Sequence, residues 1–261
     1  MISMGSFLFV RVNNRNSDTD QETRGKKMYK AVIFDFDYTL GDSTNGIVLS
    51  INHALEKLGF GAQDTKSIQR TIGLSLKDTL FELTGIQDEE TAQKFTQYFK
   101  EKADLVMVDN TRFYDGVLKM LEKLKNNGFL LGIVTTKYHY RIEQILEKNN
   151  AMSVIDVIIG GDDVKNEKPD SEGLLTAIQK LNVSKNQVLY VGDSIVDAKT
   201  AQSAGVDFVA VLTGTTEREE FMNYEYVSIE ESVRELTSYL HKRDITARKM
   251  RKSHKNIDII Y

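Results

Sequence analysis

The chain has no cysteine, which removes a disulfide framework, a thiolate metal site and a cysteine nucleophile together. The redox compartment is left open, with the cytoplasm as the default expectation. No apolar run approaches the roughly 18 residues that cross a bilayer. The stretch FLFV (Phe7–Val10) is too short for a signal-peptide core and lacks a basic flank. Neither sign of charge is in large excess: the net is -4 over 261 residues, so nothing marks a surface for nucleic acid. Proline occurs once, at position 169.

At this length the chain can form a main domain plus a smaller one. Residues 1–27 are polar after FLFV and show no apolar period, and they read as a disordered extension. Met28 then immediately precedes the first strand-like run, where the folded part is expected to begin. Residues 241–261 are basic and follow a helical pattern that looks complete; they read as a solvated tail rather than a binding arm.

Between the tails, strand-like and helix-like segments alternate. KAVIFDF (Lys30–Phe36), LLGIVTT (Leu130–Thr136), VIDVIIG (Val154–Gly160), VLYVG (Val188–Gly192) and FVAVLTG (Phe208–Gly214) are short, nearly continuous apolar runs. Parallel strands covered on both faces have this texture. Amphipathic segments separate them. One turns Val117, Leu118, Leu121 and Leu124 inward and stops at Gly128, and another stops at Gly205. The alternation predicts an α/β fold, a doubly wound parallel sheet. Residues 43–110 break it with helical patterns and no credible strand. They predict a small helical cap inserted after strand one, seated as a lid beside the strand ends. The expected organisation is a core of residues 28–42 and 111–240, a cap of 43–110, and the two tails.

Strand one carries a conflict, because KAVIFDFDYTL (Lys30–Leu40) sets Asp35 and Asp37 into a run that otherwise seeks burial. A bare carboxylate loses several kcal/mol, to order of magnitude, when desolvated. Sites in open parallel sheets lie outside the carboxyl ends of the strands. Those ends carry Asp35 and Asp37, then Thr135, Thr136 and Lys137, then Lys168 in a following loop, then Asp193 and Ser194 with Asp197 one turn on. Several acids without histidine or cysteine form an all-oxygen set suited to Mg2+, and a cation makes their burial favourable. An aspartate can attack phosphorus and form an aspartyl-phosphate. A second carboxylate two residues on can protonate the leaving oxygen and later deprotonate water, a role that calls for a pKa raised toward neutrality. Hydroxyls, N–H groups and a lysine can hold the phosphoryl oxygens. The chemistry these residues suit is phosphoryl transfer.

DFDYTL, VTTK, EKPD and GDSIVD occur in this order, with a helical insertion after the first. Together they resemble the four motifs of the haloacid dehalogenase-like hydrolase superfamily, and most nearly its phosphoglycolate phosphatase-like branch, over residues 28–240. The resemblance implies a Rossmann-like core with a helical cap. It implies Asp35 as nucleophile and Asp37 as general acid/base, with Mg2+ held by the Asp35 carboxylate, the Asp37 main-chain carbonyl and the Asp193 carboxylate. It further implies Thr135, with Thr136 beside it, on the transferring phosphate. Lys168 would neutralise Asp35 and phosphate, and Asp197 would orient Lys168 or metal-bound water. Pro169 restricts the residue before it and so aims Lys168 inward. Tyr38 stands where the family usually has glycine; an ordinary backbone region is expected there, with the ring toward the cap.

Within the family, the presence of Asp37 disfavours halide displacement. IGLSLKDTL (Ile72–Leu80) lacks the basic residues that flank the matching Gly-x-Ser segment in sugar-phosphate mutases of this branch. Gly73 and Ser75 are either cap contacts to substrate or simply a turn and helix start. The expected activity is Mg2+-dependent hydrolysis of a small phosphorylated metabolite, a monoester of phosphoglycolate type. No membrane or nucleic-acid partner is expected, and the chain is expected as a monomer or homodimer. Inorganic pyrophosphatase and 5′-nucleotidase are the hydrolase alternatives; a mutase like β-phosphoglucomutase is the alternative of another class. His53 and His139 are expected in surface or packing positions, Asp163 in a turn closing its strand, and Phe95–Phe99 in the core of the cap.

Overall fold

The computed structural model describes residues 29–241, so the expectations for the two tails lie outside the described residues. The elements run β1 (Ala31–Phe34), β2 (Gly41–Asp42), α1 (Thr44–Lys57), α2 (Thr65–Gln69), α3 (Leu76–Thr84), α4 (Glu89–Val106), β3 (Arg112–Phe113), α5 (Val117–Asn126), β4 (Leu130–Val134), α6 (His139–Lys148), β5 (Val157–Ile159), α7 (Glu172–Lys180), β6 (Val188–Gly192), α8 (Ile195–Ala204), β7 (Asp207–Val211), α9 (Arg218–Phe221) and β8 (Ser228–Glu230).

Six strands form one sheet in the order β5-β4-β1-β6-β7-β8, and every neighbouring pair is parallel. The alternation of β1 explains the two layers of helix. Val32 and Phe34 pack with Leu121 and Leu124 of α5 and Ile142 and Ile145 of α6. Ala31 and Ile33 point the other way, into a cluster with Leu174 and Ala177 of α7 and Ala198 and Ala201 of α8. Burying both faces favours apolar side chains all along the strands, which produces the near-continuous apolar runs. The register sets Phe34 opposite both Ile133 and Val191. Residues leaving the carboxyl ends of β4, β1 and β6 are therefore neighbours.

The expected strands are present, VLYVG at its full length and the others shorter than their apolar runs. Residues 152–154 form a 3-10 turn rather than the start of β5, and Leu118 is only half buried against the core. Gly128 and Gly205 do end their helices in the left-handed region, at φ 85° and 69°. Two pairings carried no sequence signal. Strand β8 is a half-buried edge, and β2 pairs with β3 for two residues, Gly41 opposite Phe113 and Asp42 opposite Arg112.

That short ladder ties together both ends of the insertion. Helices α1 to α4 gather a separate apolar cluster, with Ile51, Leu55, Ile68, Leu80 and Phe95 almost wholly buried and Phe99 beside them. The insertion also docks on the core by side chains. Arg141 of α6 is buried and meets Asp104 of α4 at 2.7 Å, while the Tyr140 hydroxyl donates to the same carboxylate at 2.6 Å. Among the described residues no helix is long and apolar enough to cross a membrane. Phe95→Ala should remove the centre of the small cluster and lower stability by about 3–5 kcal/mol. Denaturant titration checks this; a loss under about 1 kcal/mol would mean that the cluster is not the support of the insertion.

Candidate active site

The carboxyl ends of β1 and β6 deliver carboxylates to one buried point. Asp35 continues β1, its N–H donating to the Val191 carbonyl at 2.8 Å. Lys168, from the loop before α7, places its ammonium 2.6 Å from Asp35 Oδ1 and 2.8 Å from Asp197 Oδ1. The Tyr190 hydroxyl donates to the same Asp197 oxygen at 2.8 Å. The other oxygen of Asp197 accepts from Ser194 Oγ at 2.6 Å, so this carboxylate is fully committed to holding its neighbours. Asp193 is less engaged; one oxygen accepts from Thr39 Oγ1 at 3.2 Å.

Two glycines make this crowding feasible. A Cβ on Gly192 would lie 2.4 Å from the Asp197 carboxyl carbon, and one on Gly214 would lie 1.9 Å from Asp193 Oδ2. Either side chain would push a carboxylate out of the cluster.

The electrostatics follow from three buried acids facing one lysine. Burial pushes Asp35 up to about 7; Lys168 pulls against this, whereas Asp197 and Asp37 add to it. Burial, then the charges of Asp197 and Asp35, hold Asp193 well above the usual carboxylate range. Burial opposes the charge on Lys168 as well, but Asp197 and Asp35 outweigh it and keep the ammonium protonated far above its usual range. One oxygen each from Asp35, Asp193 and Asp197 fall within 4.8 Å of one another. An all-oxygen group with excess negative charge fits a hard divalent cation.

The tight turn after β1 holds the next acid. The N–H groups of Thr39, Leu40 and Gly41 converge on the Phe36 carbonyl, and that of Tyr38 donates to the Gly41 carbonyl at 2.7 Å. This geometry forces Tyr38 to φ 60°, so the expectation of an ordinary backbone region is corrected. Non-glycine residues in that region carry a cost of about 1–2 kcal/mol. Burial of the ring, a 2.9 Å contact between its hydroxyl and Thr44 Oγ1, and the Thr213 hydroxyl on the Tyr38 carbonyl offset it. The ring does point toward the insertion, at the first residue of α1. Asp37 is buried and its Oδ2 lies 3.0 Å from the ammonium of Lys137, while its Oδ1 has no hydrogen-bond partner.

Thr135 Oγ1 accepts from the Lys137 N–H at 3.2 Å. Asp37, Thr136, Lys137 and Lys168 form the inner wall of a cavity of about 950 Å3, whose outer wall is built by the insertion from Thr71 to Thr79. Gly73 and Ser75 belong to that wall. Ser75 is at the same time the N-cap of α3, accepting from the Asp78 N–H at 3.1 Å, so the two readings of this pair coexist. Asp163 closes a turn, accepting from the Gly160 N–H and lying 2.6 Å from His139 Nδ1, away from the acid group.

A buried carboxylate-and-lysine centre at the strand ends of a parallel sheet defines an α/β enzyme. Comparison with known proteins narrows the class. The family model for haloacid dehalogenase-like hydrolase matches residues 32–211. A phosphoglycolate phosphatase of Nitrosospira multiformis is 28% identical, over 82% of this chain and 96% of its own length. The pyrophosphatase PpaX of Bacillus pumilus is 32% identical, over 69% of this chain and 82% of its own. A Bacteroides fragilis structure assigned to the haloacid dehalogenase-like hydrolases superposes with a TM-score of 0.78 at 42% identity, over 80% of this chain and 99% of that one. The chain belongs to the haloacid dehalogenase-like hydrolase family, in its phosphoglycolate phosphatase-like branch, and is a hydrolase of the phosphatase class.

From the sequence, Lys137 is placed at the strand ends without a role of its own, and Tyr190 is not singled out at all. A tyrosine inside VLYVG reads as core.

The acid group generates a stability prediction for the metal-free protein. The folded pKa of Asp193 is raised, so the stability its protonated form contributes is fully present below the ordinary carboxylate value of 3.8 and is lost as the pH rises above it. Asp193→Asn stays neutral throughout. It should melt with the parent at about pH 3 and about 2–4 °C above it at about pH 8, the shift that ~1 kcal/mol gives at this size. A variant less stable than the parent at pH 8 in EDTA would contradict the electrostatic picture.

Proposed function

We propose that this enzyme is a Mg2+-dependent phosphatase that hydrolyses a small phosphorylated metabolite through an aspartyl-phosphate at Asp35. The observation that carries the reading is the double contact of Lys168, which ties Asp35 to Asp197 while Asp193 stands beside them. Asp35 and Asp193 would hold Mg2+ with the Asp37 main-chain carbonyl, and the ion would neutralise charge on the phosphoryl oxygens and on the acids. Asp197, saturated by Lys168, Tyr190 and Ser194, acts as the orienting group rather than a ligand.

In the first half-reaction an Asp35 oxygen forms a bond to phosphorus as the bond to the leaving oxygen breaks. The electron pair departs with that oxygen, and Asp37 supplies its proton. Lys168 stays paired with Asp35 and offsets the charge that gathers on the phosphoryl group. Thr135 and Thr136 hold the remaining phosphoryl oxygens. In the second half-reaction water attacks phosphorus, Asp37 takes the water's proton, and the Asp35 carboxylate is released with inorganic phosphate. The helical insertion serves as a cap, closing the cavity against bulk water and supplying the wall that selects the alcohol.

Hydrolysis is favoured over phosphate migration within a sugar because, among the described residues, the cap wall offers no buried free cation for a second phosphate. Lys77, its nearest lysine, is exposed and tied to Glu89 at 2.6 Å. The names of the two relatives put phosphoglycolate and pyrophosphate first among substrates to examine, with nucleoside 5′-monophosphates beside them. The reading is tested by phosphate release from such a panel with Mg2+ and with EDTA. Mg2+-dependent release from at least one monoester is expected, and Asp35→Asn should cut it by roughly 10^4-fold or more without loss of fold. Activity that persists in EDTA, or that Asp35→Asn retains, would overturn the mechanism.

A further inference from the structure

The loop of the insertion that stands over the acid centre is apolar. Gly73 lies in the left-handed region at φ 98°, and the Leu74 N–H donates to the Thr71 carbonyl at 3.1 Å. This turn carries Ile72, Leu74 and Leu76 along the cavity wall. A Cβ on Gly73 would come 3.9 Å from Ser194 Oγ, so the loop reaches the residue next to Asp193. Ile72 and Leu76 each keep one side on the small core of the insertion. Leu74 is half buried and packs in none of the three apolar clusters. An apolar side chain placed this way gains stabilisation from a ligand that covers it. The cavity, at about 950 Å3, lies in the range that takes drug-sized ligands, and glycolate would fill a small part of it.

The charges on the wall run against a second anion. Four of the five cations that border the cavity are committed to carboxylates. Lys168 and Lys137 are held in the acid centre, Arg141 meets Asp104 at 2.7 Å, and Lys77 meets Glu89 at 2.6 Å. The fifth, Lys165, is exposed to solvent. Glu167 is half buried on the core side of the cavity, and among the described residues no ion pair engages its carboxylate. Burial raises its carboxyl above the ordinary value, and the charge of Asp78 on the opposite wall is the next cause. Core and cap therefore put negative potential into the same space. A carboxylate or second phosphate on the leaving group would enter it with no buried cation free to meet it.

We propose that Ile72, Leu74 and Leu76 set the substrate class: the leaving alcohol is uncharged and has a hydrocarbon body that lies on these side chains, and phosphates bearing a second anionic group, phosphoglycolate and pyrophosphate among them, are poor substrates. This rests on the phosphatase reading above and names its substrate. The chain shares its acid centre with the relatives named for those two compounds, and the cap wall turns it toward another alcohol.

A matched pair of esters tests this. Benzyl phosphate and 4-carboxybenzyl phosphate present the same bond to Asp35 and differ by one carboxylate at the far end of the ring. Phosphate release with Mg2+ is measured for the parent, Leu74→Ala, Leu74→Lys and Glu167→Gln, with phosphoglycolate and pyrophosphate alongside and each fold checked by circular dichroism. We expect the parent to favour benzyl phosphate over the carboxylate ester in kcat/KM by about tenfold or more, chiefly through KM. Leu74→Ala should lose about tenfold on benzyl phosphate, again in KM. Leu74→Lys should lower the benzyl ester and raise the carboxylate ester, and Glu167→Gln should raise the carboxylate ester alone. A parent that handles the carboxylate ester or phosphoglycolate as well as benzyl phosphate would overturn the proposal and leave the phosphatase reading standing. A preference that both Leu74 variants leave unchanged would take the role from this wall. If benzyl phosphate is inert while another monoester is hydrolysed, the proposal fails alone; if no monoester is hydrolysed, the phosphatase reading fails with it. The comparison within the parent needs no variant to fold.

Discussion

One buried ammonium faces three buried carboxylates, and most of what is distinctive in the structure serves that imbalance. Lys168 neutralises part of the charge by touching Asp35 and Asp197 together. Burial first, and then the charge left over, raises the pKa of Asp35 to about 7 and holds that of Asp193 well above the usual carboxylate range. A site in this condition resists ionisation, and a divalent cation held there would make the ionised acids favourable. The protein maintains an arrangement that is unfavourable when empty, which is the common signature of groups retained for chemistry rather than for stability.

The backbone keeps the arrangement in place through the sheet order. Because β1 lies between β4 and β6, acids separated by well over a hundred residues leave adjacent strand ends without any loop having to reach. Glycines 192 and 214 then let the carboxylates approach each other within a distance that a single methyl group would forbid. Tyr38 shows the same priority. The chain accepts a left-handed non-glycine residue so that the turn after β1 can bring Asp37 back over the strand end. The ring offsets part of that strain by packing at the root of the insertion, which links the turn that carries the acid to the wall that covers it.

How much of this was legible depends on whether a residue's role is local. Strand β6 coincides with VLYVG because burial on both faces writes itself into every residue of the run. Strands β2, β3 and β8 left no trace, since two or three residues pair only because a partner stands opposite. Asp35, Asp37, Asp193, Asp197 and Lys168 could be found as charges in apolar surroundings or just beyond them. Tyr190 could not, for its hydroxyl matters only through Asp197, seven residues on and across a turn. The Tyr38 backbone could not either, because the expectation weighed the residue's own preference and not the three N–H groups converging on Phe36.

The account stands on a cation shared by two acids from different strands. Crystals grown with Mn2+ in place of Mg2+ measure that directly, through the anomalous signal of the metal. The account predicts one interior peak about 2.1 Å from an oxygen of Asp35 and an oxygen of Asp193, with Lys168 still on Asp35. Saturating Mn2+ that leaves these two carboxylates unbridged and collects only on surface acids would contradict it.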